Sequence, residues 1–274
     1  MINWQNKLAG LAREALSAEL SAYPKAGLVS LVDSGSHSDM NSTTFLASIN
    51  ALDEYWRVIG ELGARGVTFS ELVVAGKQAE QLMLSATQNI NTHRGAIFII
   101  GILLAGVAYA HSHQLPFSQT PLIISQVWGA AIVEHQTLAE SHGNSIRQRY
   151  PELASNLLDT AAGGFSKLFD NYVPCLHALY PKYGERAYLE IFYRLLASIN
   201  DNNLLYRGGR AGLQLAQNLA AKFIAAGGIR QADWLSQATH IHQQFIQHNL
   251  SPGGCADLLA ATIFLHSVER NLWA

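Results

Sequence analysis

The sequence contains little cysteine and few charged residues, and each shortage excludes a class of protein. Cys175 and Cys255 are the only cysteines among 274 residues, too few for a disulfide scaffold and without the CxxC spacing of a zinc or redox site. Charged residues make up 14% of the chain, and 18 basic side chains against 20 acidic ones give a formal net charge of −2. This balance argues against nucleic acid as the main partner. The low cysteine content fits a reducing compartment, so we expect a cytoplasmic protein.

Long apolar runs are missing as well. The most apolar stretch, residues 95–110, is shorter than the roughly 20 residues that cross a bilayer, and His111 and His113 follow it. The sequence therefore predicts that this stretch is a buried central helix and that the protein does not enter a membrane. The N-terminal residues are amphipathic and lack the continuous apolar core of a secretory signal, so we expect no signal peptide.

The sequence does contain a helical pattern of apolar residues over most of its length. Residues of the AVILMFWYC set make up 49% of the chain, and they recur at three- and four-residue spacing instead of alternating. No Pro/Ser-rich linker, shift in composition or repeated signature divides the sequence. We therefore predict an all-α fold, a single compact domain over residues 1–274 with roughly ten or more helices. Besides a first helix and one over the stripe 72–86, the predicted helices lie at about 45–62, 95–113, 120–140, 152–170, 185–199, 211–226, 231–248 and 256–271.

Two acidic residues lie on or beside apolar stripes. Glu19 takes the next position on the stripe that Ala12, Ala15 and Leu16 form in the first helix. A carboxylate is seldom buried without a partner, so either the helix frays before Glu19 or the side chain faces inward against one. Glu80 lies at the margin of the stripe over residues 72–86.

Polar residues collect in four junctions between the predicted helices. In the first, residues 23–41, Asp33, His37 and Asp39 lie close together in sequence around a glycine. An irregular loop there could direct oxygen ligands at one hard cation. An ordinary Asx-rich turn with a helix cap is the alternative.

The second junction, residues 87–95, directly precedes the apolar helix. Backbone N–H groups at a helix start attract anions, and His93 and Arg94 add donors or charge beside them. The segment has neither a P-loop nor a GxGxxG pattern, so the prediction is a phosphate site of another kind. A capped helix with a surface arginine is the alternative.

The third and fourth junctions carry further polar groups. Residues 200–210 hold a carboxylate, several amides and two guanidinium groups, which suit a phosphorylated ligand with its metal, although a solvated turn would also explain them. In residues 251–257, Ser251 and Pro252 are typical of a helix start, and the macrodipole of that helix favours an acid at Asp257. A purely structural helix start is the alternative in this junction.

Other residues that could take part in catalysis or bind a metal are predicted to be structural. The pairs His111/His113 and His240/His242 would point about 200° apart on a helix and cannot readily share a metal, so we assign them no site. Neither cysteine has a neighbouring motif that would supply a base, so we predict no thiol nucleophile.

The amino-acid sequences of the four junctions resemble those of a known family. They contain, in order, PKAGLVSLVDSGSHSDMN, NTHRGAIF, DNNLLYRGG and LSPGGCADLLA. In this order they resemble the four blocks of the triphosphoribosyl-dephospho-coenzyme A synthase family, whose members serve citrate lyase and malonate decarboxylase. The similarity spans about residues 19 to 265. GLVSLVDSGSHSDM and YRGGRAGLQLAQ look closer to the malonate decarboxylase branch.

The resemblance implies transfer of the triphosphoribosyl part of ATP to the 2′-hydroxyl of 3′-dephospho-coenzyme A, with release of adenine. The product would be the prosthetic-group precursor of an acyl carrier protein, that of malonate decarboxylase rather than that of citrate lyase. Mg²⁺ is the implied cofactor, and ATP and 3′-dephospho-coenzyme A are the implied substrates. A carrier protein or a downstream holo-acyl-carrier-protein synthase is an implied further partner, and assembly into a homo-oligomer is left open.

The same resemblance suggests residue roles. The reaction breaks the C1′–N9 bond through an oxocarbenium-like state, so the site must hold the triphosphate, activate the hydroxyl and accept adenine as leaving group. The implied metal ligands are Asp39, Glu80, Asp201 and Asp257. The implied ATP- and phosphate-binding residues are Lys25, Asn91, His93, Arg94, Asn203 and Arg207. Asp33 or His37 remains as the catalytic base.

The middle of the chain departs from the family pattern. Residues 156–161 read NLLDTA where the family has Gly-Ala-Arg-x-Glu-Ala, so an expected positive charge is missing. Two other functions therefore stay open. One is a divergent metal-dependent hydrolase or transferase that acts on another phosphorylated nucleoside, and the other is a lapsed enzyme that binds a carrier protein.

Overall fold

The computed structural model describes residues 4–135, 146, 148–153 and 157–273. Over these residues it contains thirteen α-helices and no β-strand, which confirms the predicted all-α class. The helices are α1 (Trp4–Ser21), α2 (Ser42–Ala51), α3 (Asp53–Ala64), α4 (Phe69–Ala86), α5 (Arg94–Ser112), α6 (Thr120–Val127), α7 (Gly129–His135), α8 (Leu157–Ala162), α9 (Val173–Tyr183), α10 (Arg186–Ser198), α11 (Asn202–Ala225), α12 (Trp234–Gln247) and α13 (Gly253–Leu272).

Three predicted helices are shorter or divided in the structure. The stretch predicted as one helix at 45–62 is broken at Leu52, so that α2 and α3 are separate. The stretch predicted at 120–140 contains α6 and α7, and its last residues lie outside the described part of the chain. Of the helix predicted at 152–170, the structure has α8, and residues 154–156 are not described.

The start of α11 was predicted too late, near residue 211. The helix begins at Asn202 because the carboxylate of Asp201 accepts the N–H groups of Asn203 (2.8 Å) and Leu204 (3.2 Å), which form its first turn. Gly209, with φ 60° and ψ −158°, then interrupts the helical backbone. A residue without Cβ adopts this conformation at no steric cost, so the helix bends within the RGGR sequence.

α5 is a buried helix that packs against α3, α13 and α6. By length and composition α5 could cross a membrane, but 72% of an apolar 18-residue stretch within it is buried inside the protein. The packing against α3 is close, because a Cβ on Gly63 would lie 2.4 Å from the backbone of Ala105. Tyr55 Oη on α3 also donates to Ile97 O at 2.9 Å. The prediction of a buried helix is therefore confirmed.

Side-chain caps fix the starts of two helices, one of which follows the first junction. Asn41 Oδ1 accepts the N–H of Thr44 at 3.2 Å and the Thr44 hydroxyl accepts the N–H of Asn41, which forms a capping box for α2. Thr68 and Glu71 form the same arrangement at the start of α4. Each cap contributes about 1 kcal/mol to helix stability. The helix-cap alternative for the first junction is therefore correct for its last residue, Asn41.

Candidate active site

The first junction folds over the end of α12 and the turn that follows it. Ser36 Oγ donates to Leu250 O at 2.6 Å, and the Nε2 atom of His37 lies 2.8 Å from Ser251 Oγ. A Cβ on Gly27, where φ is +72°, would lie 2.1 Å from Leu250 O. The lack of a side chain at Gly27 is what allows these two segments to meet.

Arg207, from the third junction, bonds to both the first junction and the turn after α12. Its Nη1 donates to Ser36 O (3.1 Å) and to Asn249 Oδ1 (2.9 Å), and its Nη2 lies 3.2 Å from His37 Nδ1. Because a guanidinium group has only donors, Nδ1 of His37 must be the acceptor, and Nε2–H then donates to Ser251 Oγ. Burial and the charge of Arg207 both lower the pKa of His37 below its ordinary value, while Asp39, whose Oδ1 lies 3.5 Å from Nδ1, opposes this shift. Arg207 thus engages the lone pair of His37 Nδ1.

Asp33, the other candidate base, has a different environment. Its carboxylate is 33% exposed, and it accepts hydrogen bonds from the Gly35 N–H (2.9 Å) and from Nε2 of His242 (3.1 Å). The hydroxyl of Tyr23 also bonds to it, and burial together with Asp33 raises the pKa of Tyr23. His242 is not part of any of the four junctions. Only the fold brings it here, since 209 residues separate it from Asp33.

Glu19 and Lys25 form a buried ion pair under the first junction. α1 continues to Ser21, so the alternative in which the helix ends before Glu19 is wrong. Lys25 is 0% exposed, and its Nζ contacts Glu19 Oε1 (3.0 Å), Glu19 O (2.5 Å) and Val29 O (3.2 Å). These contacts use all three ammonium hydrogens. The expected phosphate role of Lys25 does not fit this placement, and we assign the residue to the fold.

Asp201 joins the third and fourth junctions. Besides capping α11, its carboxylate accepts the N–H of Cys255 at 2.8 Å, in the first turn of α13. Burial raises the pKa of Asp201, while the backbone donors from both helices oppose this shift. Burial also raises the pKa of the Cys255 thiol well above its ordinary value, with Asp201 adding to the effect, which agrees with the prediction of no thiol nucleophile there.

The carboxylate of Asp257, in the fourth junction, lies at the start of α5 in the second. A Cβ on Gly95 would lie 1.9 Å from Asp257 Oδ2, and the N–H of Ala96 donates to this carboxylate. Burial, followed by the carboxylates of Glu19 and Asp201, raises the pKa of Asp257 well above its ordinary value. A protein acid thus takes the position at the helix start where the sequence predicted a phosphate, and the N–H of Ala96 already bonds within the protein.

Two side chains of the second junction also bond within the protein. Asn91 Oδ1 accepts the N–H of Arg94 at 3.2 Å, and the guanidinium of Arg94 forms a salt bridge with Glu80. Arg94 remains 47% exposed, so this pairing presents its positive charge at the surface. The surface-arginine alternative therefore describes the apo geometry, and an incoming anion would compete with Glu80 for the guanidinium.

His93 is buried beneath the same junction. Its Nδ1 lies 2.6 Å from Ser48 Oγ, and its Nε2 has no hydrogen-bond partner among the described residues. Burial lowers the pKa of His93 to about 3, so the ring is neutral near pH 7. His93 can therefore offer a hydrogen bond to a ligand but no positive charge.

We expect His93 to make the protein less stable in acid. Its folded pKa of about 3 lies below the ordinary 6.5, so the unfolded chain binds more protons, and stability is lost as the pH falls below 6.5. This contribution should reach about 1.4 kcal/mol per pH unit. Urea unfolding of the wild type and the His93→Gln variant between about pH 7 and pH 4 should give a steeper decline for the wild type. Equal slopes would contradict the prediction.

The four junctions therefore converge in the structure. His37 links the first to Ser251 in the fourth and to Arg207 in the third, while Asp201 links the third to the fourth. Asp257 links the fourth to the second. The altered middle segment adds nothing to this picture, because residue 156 lies outside the described residues and residues 157–161 belong to α8.

The predicted metal ligands are spread over this region. Within the described ranges, no three His, Cys, Asp or Glu side chains come close enough to hold an ion by themselves. Glu80 is paired with Arg94, and Asp201 is engaged by three N–H groups. Asp39 is 60% exposed, and Asp257 lies among carboxylates that raise its pKa. This donor set fits Mg²⁺ bound by one or two carboxylates, substrate phosphates and water.

Comparison with known proteins agrees with the resemblance in the four junctions. The family model for ATP:dephospho-CoA triphosphoribosyl transferases matches residues 5–274. A protein from Acinetobacter calcoaceticus named "probable 2-(5″-triphosphoribosyl)-3′-dephosphocoenzyme-A synthase" is 36% identical over 266 residues, which cover 95% of this chain and 90% of that protein. A protein of the same name from Vibrio cholerae serotype O1 is 32% identical, over 95% of this chain and 87% of that protein. Another from Streptococcus equi subsp. equi is 30% identical, over 97% of each chain. No solved structure matches the chain. The chain belongs to the ATP:dephospho-CoA triphosphoribosyl transferase family.

Proposed function

We propose that the region where the four junctions meet carries out the family reaction with Asp33 as the base. The chain is a triphosphoribosyl-dephospho-CoA synthase, a transferase that uses ATP and dephospho-CoA to make a prosthetic-group precursor. In the proposed step, Asp33 takes the proton of the acceptor 2′-hydroxyl while the oxygen of that hydroxyl bonds to C1′ of the ATP ribose. The C1′–N9 bond breaks, and adenine leaves with the bonding electron pair and gains a proton from solvent.

The environment of Asp33 is the observation that carries this proposal. The carboxylate is partly exposed and is oriented by three donors, and no arginine or lysine in the described part of the chain forms an ion pair with it. A carboxylate that is not neutralised by such a cation can accept a proton from a bound hydroxyl. His37 is the weaker candidate, because Arg207 engages its only lone pair.

For the triphosphate, we propose that Arg94 and Arg207 supply the positive charge. Arg94 is exposed and can exchange Glu80 for a phosphate oxygen, as charge-assisted bonds to phosphate are short and strong. Arg207 is held by Ser36, Asn249 and His37, so it contributes a fixed charge. Asn203 packs over Gly253 beside them, and His93 contributes its unpartnered Nε2.

We propose Mg²⁺ as the cofactor, with Asp39 and Asp257 as its protein ligands. Glu80 and Asp201, which the sequence also suggested, already bond to protein donors and are better assigned to holding Arg94 and two helix starts. Bound with the triphosphate, the ion would neutralise phosphate charge and fix the orientation of ATP. A bound cation would also lower the raised pKa of Asp257, because it favours the ionised carboxylate.

Adenine release tests the proposed activity. Incubation with ATP, dephospho-CoA and Mg²⁺ should release adenine only when both substrates are present, and chelation of Mg²⁺ should stop the release. Adenine or phosphate formed without dephospho-CoA would instead support a hydrolase or transferase that acts on another phosphorylated nucleoside. No turnover, with measurable binding of an acyl carrier protein, would support the lapsed enzyme.

We further propose that the product serves malonate decarboxylase and that the protein acts in the cytoplasm. The sequence motifs GLVSLVDSGSHSDM and YRGGRAGLQLAQ support the first point, and the two free cysteines support the second. Deleting the gene in its organism of origin should leave the malonate decarboxylase carrier protein without its prosthetic group, which mass spectrometry of the carrier detects. Loss of the group from a citrate lyase carrier instead would contradict the assignment.

Arg94→Ala should raise the ATP concentration needed for half-maximal rate by about 10- to 100-fold, since a hydrogen bond to an ionised group is worth roughly 1.5–3 kcal/mol. Arg94→Lys should recover only part of this loss, because an ammonium group lacks the guanidinium fork. Arg57→Ala is the matched control, as Arg57 has 50% exposure and an acidic partner, Glu54, on α3. An unchanged ATP titration for Arg94→Ala, with an unchanged circular dichroism spectrum, would remove Arg94 from the site.

A further inference from the structure

His242 lies directly behind Asp33, and we propose that the two residues form a dyad in which His242 positions the catalytic carboxylate. The inference rests on the proposed role of Asp33 as the base. His242 is a positioning residue in this account, because its ring contacts Asp33 and not the substrate. The family signatures in the sequence do not include His242.

The contact between the two side chains is specific. Nε2 of His242 lies 3.1 Å from Asp33 Oδ1 and 3.2 Å from Oδ2, so one N–H faces both carboxylate oxygens. His242 is 0% exposed, whereas the Asp33 side chain is 33% exposed. The imidazole therefore approaches from the protein interior and leaves the outer side of the carboxylate accessible.

The other ring nitrogen of His242 has two backbone neighbours of opposite type. Nδ1 lies 3.1 Å from the N–H of Gly27 and 2.9 Å from the carbonyl of Lys25. A neutral ring with Nε2–H can accept from Gly27, and a charged ring can donate to Lys25 O. In both states Nε2–H still points at Asp33. The ring thus donates to the carboxylate whatever its own charge.

The remaining polar groups around His242 do not displace this bond. The ring of Tyr23 lies at 5.6 Å from the His242 ring in an edge arrangement, and its hydroxyl also bonds to Asp33. The ammonium of Lys25 bonds to Glu19 and Val29 and acts on Asp33 only through its charge. Asp33 is therefore the one acidic side chain among the described residues with which His242 forms a bond.

A donor that bonds the ionised carboxylate stabilises that form. His242→Leu should therefore move the acid limb of the kcat profile to higher pH. His242→Gln can keep an amide donor near Asp33 and should show a smaller shift. Both variants should lower kcat by about 10- to 100-fold and change the KM for either substrate by less than about threefold.

His240→Gln is the matched control, because His240 lies on the same helix, is exposed and contacts Gln244. It should leave the pH profile unchanged. In an Asp33→Asn background, His242→Leu should cause little further loss of kcat, since the carboxylate that it serves is gone. An unmoved acid limb in both His242 variants, or full additivity with Asp33→Asn, would overturn the inference.

NMR of the His242 imidazole gives a readout that does not depend on turnover. The Nε2–H proton should give a hydrogen-bonded signal in the wild type, and this signal should weaken or shift in Asp33→Asn, because the carboxylate that accepts it is gone. An unchanged signal would overturn the dyad even if the enzyme is active. Absence of adenine release by the wild type would instead overturn the proposed function, and a changed signal would then still support the pairing itself. Circular dichroism checks the fold of every variant.

Discussion

Replacing Asp33 with asparagine should lower kcat by about 10²- to 10⁴-fold, the range of general acid–base catalysis by a positioned side chain. The amide is nearly isosteric and can still contact the Gly35 N–H, so the loop should keep its shape while losing the proton acceptor. Substrate binding should change little, because in the proposed mechanism Asp33 acts on the hydroxyl and not on the triphosphate. Initial rates of adenine release, measured at saturating ATP and dephospho-CoA, provide the value of kcat.

Two comparisons make the Asp33→Asn result specific. Asp53→Asn removes a carboxylate that pairs with Arg13 at the surface of α3, away from the four junctions, and should leave kcat unchanged. His37→Asn removes the rival base. A loss of kcat that is large for His37→Asn and less than about threefold for Asp33→Asn would show that the base has been assigned to the wrong residue.

Lys25→Ala should lower the free energy of unfolding by about 3–5 kcal/mol, because breaking a buried ion pair leaves its partner charged and unsolvated. Lys25 is 0% exposed and Glu19 is 5% exposed, so the Glu19 carboxylate lies out of contact with bulk water. Burial raises the pKa of Glu19 and lowers that of Lys25, and each ion opposes the shift of the other. In the variant Glu19 loses this opposition, and its pKa should rise further.

The pH dependence of the Lys25→Ala defect follows from that rise. When the folded pKa of an acid exceeds its unfolded value, stability is fully present below the unfolded pKa and is lost as the pH rises through the folded pKa. The loss in free energy of unfolding should therefore shrink toward about pH 4.5 and grow toward pH 7. Urea unfolding at several pH values measures it. The double variant Lys25→Met with Glu19→Leu should recover much of the loss, and a deficit that does not depend on pH would contradict this account.

Periodicity sufficed to predict the class of fold and the burial of α5. Apolar residues cover every face of residues 95–110, and such a helix must be surrounded by others. Periodicity did not predict the break at Leu52, since apolar side chains continue at helical spacing through α2 and α3. It also missed the start of α11, because the helix depends on the Asp201 cap and bends at Gly209, and both features interrupt the apolar pattern.

The candidate site was predictable only where its residues are neighbours in sequence. The junctions hold Asp33, His37, Arg94, Asp201 and Asp257, and clusters of polar residues between helices made them visible. His242 could not be found in this way, because it contributes through a contact 209 residues away. The sequence marks Glu19 as an acid on an apolar stripe, yet only the structure shows that Lys25 neutralises it and is thereby withdrawn from phosphate binding.

The shared cap at Asp201 has a consequence for the synthesis of the protein. One carboxylate begins α11 and also receives the N–H of Cys255, 54 residues further along the chain. A contact of this span forms only after a long loop has closed, and it requires the start of α13 to be present. A nascent chain therefore cannot complete this link between the third and fourth junctions until Cys255 has left the ribosome.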